Sequence, residues 1–327
     1  MPFPIPRSGQ TMNGTSPEVF HLFKGVPWLI TYICETVLIL TGNAVTIHIF
    51  WSIRKRMKRS SYLLINLAVA DFLVGISISL FLFLHISSAA PILVINTVVK
   101  IGVFLDTVGV TSSILSLALI SLERMLAMLW PFRHRTVKTW YYHLSVGIVW
   151  LLACFNGVVN VIIDLYRTKS QDGFSYLMAI TLICSVLVIT GTYLTIWFSI
   201  KRSNRFRSNT CRSMEQDRKL AKTLFIVTAF SVFTCLPSGI SLALRDYLQN
   251  MYSFRIQITF VAQYANSFLN PVIYCFKIPE FQASLKKLLC SCQRQRLPFN
   301  EDAEATSVVT LRSLKSIEAS LPEQKSS

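Results

Sequence analysis

Asn270-Pro271-Val272-Ile273-Tyr274 closes the last long apolar stretch of the chain, residues 255–276. Proline removes a backbone donor and crowds the preceding turn, so it kinks or loosens a helix. Asparagine needs hydrogen-bond partners in hydrocarbon, where water is scarce. An apolar helix carrying both is either a tolerated break packed against its neighbours or a joint that moves. Residues outside the pentapeptide have to decide between the two.

The surrounding composition is that of a membrane protein. Of 327 residues, 52% are hydrophobic and only 15% are charged, against about 25% charged in a soluble domain; mean hydropathy is +0.50. Apolar runs recur at 28–53, 61–86, 93–127, 140–163, 173–201, 219–244 and 255–276. Each is long enough to cross a hydrocarbon core of about 30 Å as a helix. The expected fold class is all-α, a seven-transmembrane helix bundle followed by a short cytoplasmic amphipathic eighth helix. Residues 1–27 read as an extracellular tail, 28–278 as the bundle, 279–292 as the eighth helix and 293–327 as a disordered cytoplasmic tail.

A net charge of +16 invites a nucleic-acid reading, but its distribution argues for topology instead. Arg54, Lys55, Arg56, Lys58 and Arg59 fall in the first inner loop, Arg133, Arg135 and Lys138 in the second, and Lys201, Arg202, Arg205, Arg207 and Arg212 in the third. Lys277, Lys286, Lys287, Arg294 and Arg296 follow the last segment, whereas the alternate loops are poor in base. This is the positive-inside pattern of a multi-pass plasma-membrane protein with its N-terminus outside, and the basic loops favour anionic lipid head groups. Prolines and glycines break up residues 1–25, which lack a signal-peptide core, so the first span is expected to act as its own insertion signal. Asn13-Gly14-Thr15 is a glycosylation sequon on the expected outer side.

None of the eight cysteines falls in an expected outer loop, and none is spaced with His as a metal site. Cys290 and Cys292 follow an amphipathic stretch with Phe281, Leu285, Leu288 and Leu289 on one side and Lys286 and Lys287 on the other. They are palmitoylation candidates, the alternative being two unmodified thiols. The polar tail rich in Ser, Thr and Glu is a phosphorylation candidate.

Polar residues inside the spans carry most of the functional information. Asn43, Asn66, Asp71, Asp106, Ser113, Asn266, Ser267 and Asn270 all lie within apolar runs. An unpaired Asp near the bilayer centre costs about 2.5–3.5 kcal/mol on insertion scales. Asp71 therefore needs donors, water or a cation, and Asn43, Ser113, Asn266 and Asn270 lie at similar depth. The cluster is either helix glue or a hydrated, ion-sensitive hinge. At the inner end of the third span, Glu123-Arg124 has Asp217 as an acidic partner at the start of the sixth.

These residues together resemble the rhodopsin-like (class A) G-protein-coupled receptors. Gly42-Asn43, Leu67-Ala68-Val69-Ala70-Asp71, Glu123-Arg124-Met125, Trp150, Tyr193, Pro237 and Asn270-Pro271-Val272-Ile273-Tyr274 fall one per span in that family's order. The resemblance covers residues 28–292. It implies that Asn43, Asp71, Ser113, Asn266 and Asn270 line a water pocket able to take Na+ as an allosteric ion, with no other cofactor. Glu123, Arg124, Tyr193, Asp217, Pro237, Pro271 and Tyr274 would form the activation switch. Pro131 and Phe132 would touch a heterotrimeric G protein, and arrestin and a receptor kinase would be further partners.

Asp106 is eighteen residues before Arg124, on the same helix face and about 27 Å above it. Tyr264 lies ten residues before Tyr274, where its hydroxyl can reach that carboxyl. This pairing resembles amine receptors and implies a small cationic ligand, with a peptide or lipid as the alternative. Departures oppose a simple amine reading: Ser231 and Cys235 stand where the family has Phe and Trp, Ser185 where it has Pro, and Val99 where it has a disulfide cysteine. The missing disulfide resembles the melanocortin, lysophospholipid, cannabinoid and adenosine branch. A transporter would show related halves with paired broken helices, and a channel a repeated pore loop. Neither is visible, nor is a nucleophile–base constellation, so no enzyme is expected.

Overall fold

A computed structural model describes residues 26–54, 61–86, 91–165, 171–203, 225–226, 228–237 and 254–295. The elements among them are helices: α1 (Val26–Ile53), α2 (Ser61–Ile86), α3 (Ile92–Leu129), α4 (Pro131–Thr136), α5 (Thr139–Leu165), α6 (Gln171–Ser203), α7 (Thr228–Pro237), α8 (Phe254–Lys277) and α9 (Pro279–Gln295). Helix α2 matches its expected bounds, and α1, α3, α5, α6 and α8 extend theirs by one or two residues at one or both ends. Of the sixth expected span, 219–244, the described part is 225–226 and α7. Asn13 and Asp217 lie outside the described residues.

Helices α1, α2, α3, α5 and α6 each contain a stretch long and apolar enough to cross a membrane. At 1.5 Å per residue they run about 39–57 Å, more than the hydrocarbon thickness. Helix α8 is less apolar because Gln257, Gln263, Asn266, Ser267 and Asn270 interrupt it. Its polar groups are tolerable only where other helices enclose them, and Gln257, Asn266, Ser267 and Asn270 are indeed buried.

The outer faces of the bundle are apolar, and its apolar core takes in polar side chains as well. On α5, Leu144, Ile148, Leu151, Phe155, Val158 and Ile162 are exposed, while Asn156 and Asn160 are buried. The three-to-four residue spacing puts the apolar side chains on one helical face, as a helix in lipid requires. Helix α3 is the most enclosed of the five spans. It packs closely on α2 at Gly109, where an added Cβ would lie 2.8 Å from Val74 Cγ2, 3.1 Å from Val74 N and 3.2 Å from Ala70 O. Only a residue without a side chain lets these backbones approach so far.

Helix α4 was not expected from the sequence, which placed 128–139 between spans. Pro131 stands in its first turn, where a fixed φ and a missing N–H suit a helix start. The chain divides into two units at Pro279–Glu280. In the second, α9 runs to Gln295, three residues beyond expectation, with Lys286, Lys287 and Cys290 exposed.

Candidate functional site

Asp71 gathers three helices. Its Oδ1 accepts hydrogen bonds from Ser113 of α3 at 2.8 Å and Ser267 of α8 at 2.9 Å. Its Oδ2 accepts one from the Asn270 amide at 2.7 Å. The side chain is fully enclosed, so these donors stand in for the water that an acid would have at the surface. Ser267 was not among the expected partners of Asp71. Asn266 is buried beside it, and no bond from Asn266 to Asp71 is found among the described residues.

Asn43 ties α1 to the backbone of α8. Its amide donates one hydrogen to Ile39 O at 2.9 Å and the other to Ser267 O at 3.0 Å. The second contact follows from Pro271. In a regular helix the N–H of residue 271 would bond the carbonyl of residue 267, and proline has no N–H. Asn43 supplies the missing donor from α1. Gly42 makes the approach possible, since an added Cβ would stand 3.2 Å from Pro271 Cγ and 3.3 Å from its Cβ. The Gly42-Asn43 and Asn270-Pro271 pairs are thus two halves of one helix contact.

A second network ties α2, α3 and α5. Trp150 Nε1 donates to Asn66 Oδ1 at 2.7 Å, Asn66 Nδ2 to Ser116 Oγ at 2.7 Å, and Ser116 to Ser112 O at 2.6 Å. Higher up, Asn160 of α5 donates to Thr107 of α3 at 2.8 Å.

Near the other end of α3, Arg124 pairs with Glu123, and both are buried. Glu123 Oε1 also meets His134 Nε2 of α4 at 2.8 Å, and that nitrogen meets the Tyr142 hydroxyl of α5 at 3.1 Å. The short α4 therefore holds the acid that holds the arginine, a link invisible until Pro131 had been seen to start a helix. Tyr193 lies within electrostatic range of Glu123 and Arg124, its ring edge-on to Phe225 at 5.0 Å. Tyr274 packs edge-on to Phe50 at 5.6 Å. Phe132 is 83% exposed and Pro131 half-buried, while Pro237 is exposed at the end of α7. Cys235 is buried within electrostatic range of Asp71.

Asp106 is buried one layer above Asp71, seven residues before Ser113 or about 10 Å along α3. Ser77 donates to its Oδ1 at 3.2 Å, sharing its hydroxyl with Val74 O at 2.7 Å. Tyr264 lies beside Asp106, close enough for the two polar groups to interact, but its hydroxyl falls short of a well-formed hydrogen bond. The same layer contains Tyr32 and Glu35 of α1, which the sequence reading passed over. A lone acid inside the apolar run of α1 was the available signal.

Helices that turn apolar faces outward and enclose acids, amides and a paired arginine define a multi-pass membrane protein with polar groups in its interior. The chain matches the family model of the 7 transmembrane receptor (rhodopsin family) over residues 42–274, and it belongs to that family. It is thus a seven-transmembrane, rhodopsin-like G-protein-coupled receptor of the plasma membrane and not an enzyme. It is similar to lysophosphatidic acid receptor 3 of Homo sapiens, 28% identical over 301 residues covering 86% of this chain and 83% of that one. Adenosine receptor A3 of Canis lupus familiaris is 24% identical over 286 residues, 77% and 88% of the two chains. Neuropeptide Y receptor type 4 of Rattus norvegicus is 24% identical over 339 residues, 87% of each. None of these three names an amine, so the expectation of an amine ligand gains nothing from them.

Proposed function

We propose that this receptor takes an extracellular peptide through a cationic group at Asp106 and passes the signal to a heterotrimeric G protein. The observation that carries the reading is Asp106 itself, buried in an apolar layer with one shared serine donor and Tyr264 beside it. A phosphate-bearing lipid would meet Asp106 and Glu35 there, and Arg124, far below, is the one fully buried basic side chain among the described residues. That favours a peptide over a lysophospholipid, and the neuropeptide Y receptor relative is in keeping with it.

Ligand binding would shift a two-state equilibrium. Rearrangement at Asp71, Asn270 and Pro271 would release Arg124 from Glu123, and Tyr193 and Tyr274 would take new positions as the inner ends part. Pro131 and Phe132 would then meet the G protein, with Asp217 and Pro237 belonging to the moving sixth span. The alternating loop charges support an outer N-terminus, so that Asn13 is open to glycosylation. Cys290 is exposed on α9 and, with Cys292, suits acylation. The bundle as 28–278 with tails either side, and arrestin, receptor kinase and anionic lipids as partners, complete the proposal.

The oxygens near Asp71 also suit Na+. They are its own carboxyl and the hydroxyls of Ser113 and Ser267; Asn43 Oδ1, on the α1 side of the same contact, is a further buried oxygen without a hydrogen bond. A bound sodium ion would neutralise Asp71 and so favour the inactive arrangement. Asn266 and Asn270 would complete its surroundings.

The reading is tested by screening cationic peptides for G-protein activation in transfected cells. An agonist should lose its effect in Asp106→Asn at equal surface expression. An unchanged dose response would remove Asp106 from the site.

A further inference from the structure

The layer of Asp106 holds a second buried acid, Glu35, to which none of the roles above is given. Glu35 is the one acidic residue of α1 and is 5% exposed. It follows Tyr32 by three residues, one turn along the same face. The Tyr32 ring meets Tyr264 edge-on at 6.2 Å, and Phe260 stacks on Tyr264 at 6.5 Å. Tyr264 lies within electrostatic range of Glu35, Tyr32 and Asp106 together. Helices α1 and α3 thus each bring a carboxyl group to one tyrosine of α8.

Glu35 Oε2 and the Tyr264 hydroxyl are buried here without a well-formed hydrogen bond. Tyr264 belongs to a buried cluster with Ile39, Ile78, Phe81 and Val103, and Ile39 lies four residues, about one turn, from Glu35. An acid oxygen in such a setting is costly without a partner. The depths agree: Glu35 is eight residues, about 12 Å, above Asn43, and Asp106 is seven residues, about 10 Å, above Ser113. The acid therefore belongs to the layer of Asp106, not to that of Asp71.

We infer that Glu35 and Asp106 form a two-point anionic site, and that the ligand presents two positively charged groups, an ammonium to each acid. Tyr264 lies within electrostatic range of both acids, its hydroxyl available to a bound group. This rests on the reading of Asp106 as a ligand contact and extends it to α1. Ammonium groups suit the site because each brings a compact charge and three donors. In a peptide, a free amino terminus next to a basic side chain provides such a pair.

The probe is a series of α,ω-diaminoalkanes from diaminopropane to diaminooctane, each beside the monoamine of equal length. Binding is read by calorimetry on the full chain in lipid nanodiscs. At the best length the diamine should bind about thirtyfold more tightly than its monoamine, as expected for a second desolvated charge pair. Glu35→Gln should bring the diamine down to the monoamine level. Asp106→Asn should weaken both, so a failure of the Asp106 reading is seen separately, in the monoamine. Glu35→Gln nearly conserves shape, and its unliganded melting temperature checks folding. Should it not fold, Glu35→Asp should move the preferred diamine to a longer chain. A diamine advantage that survives Glu35→Gln, a length preference unmoved by Glu35→Asp, or no diamine advantage at any length overturns the inference.

Discussion

Asn43 and Pro271 should be energetically coupled in a way that ordinary packing neighbours are not. Pro271 leaves the Ser267 carbonyl without its helical donor, and the Asn43 amide reaches it at 3.0 Å. Asn43→Ala then strands a buried carbonyl. Hydrogen bonds between membrane helices measure about 0.6 kcal/mol on average and up to about 1.7 kcal/mol, and a stranded polar group pushes toward the upper end. In a Pro271→Ala background the backbone N–H of residue 271 can bond Ser267 O directly. Asn43→Ala there should lose only the local bond to Ile39 O. The coupling between the two substitutions is therefore expected at about 1–1.7 kcal/mol. Melting temperatures of the four proteins in nanodiscs measure it. Asn43→Ala should lower the midpoint by about 2–4 °C with Pro271 present, for a chain of this size, and by less than half as much in the Pro271→Ala background. Equal drops in both backgrounds would refute the idea that Asn43 replaces the proline's missing donor. Loss of the Pro271 contact with Gly42 is common to both proteins that carry Pro271→Ala and cancels in the cycle.

Other expectations follow from the same contacts. Gly109→Ala places a methyl against the backbone of Val74 and Ala70, atoms that cannot rotate away, and should cost about 1–3 kcal/mol of stability, read as a lowered melting temperature. Glu123→Gln weakens the partner of Arg124 and should raise ligand-independent nucleotide exchange on the G protein; exchange at the wild-type level would show that the pair does not restrain the switch. Replacing sodium by a large organic cation should raise agonist affinity in the wild type and leave Asp71→Asn unaffected; equal responses would remove Asp71 as the sodium site.

Much of the fold was legible because lipid imposes a coarse rule. Runs near 20 apolar residues had to be spans, and basic loops had to alternate with poor ones. Asp71, Ser113 and Asn270 could be grouped because expensive polar residues at equal depth have few partners. Register between helices was not legible. Ser267 and Asn266 are adjacent in sequence, and only the rotation of α8 decides that Ser267 bonds Asp71. The exchange between Pro271 and Asn43 was hidden for the same reason, since it depends on a carbonyl, which sequence does not display. Glu35 was legible as a lone acid in the apolar run of α1, but its place beside Tyr32 and Tyr264 depends on the packing of α1 against α8. The helix at Pro131 was likewise signalled by a proline in a first-turn position, and with it came the contact of His134 with Glu123.

Agonist affinity measured with and without the heterotrimeric G protein tests the central claim most directly. A receptor that couples an outer pocket at Asp106 to an inner crevice at Arg124 must obey reciprocity between the two sites. With an agonist from the peptide screen, adding nucleotide-free G protein to the receptor in nanodiscs should tighten binding by about 5–150-fold, and excess guanine nucleotide should abolish the gain. An agonist affinity indifferent to both G protein and nucleotide would contradict it.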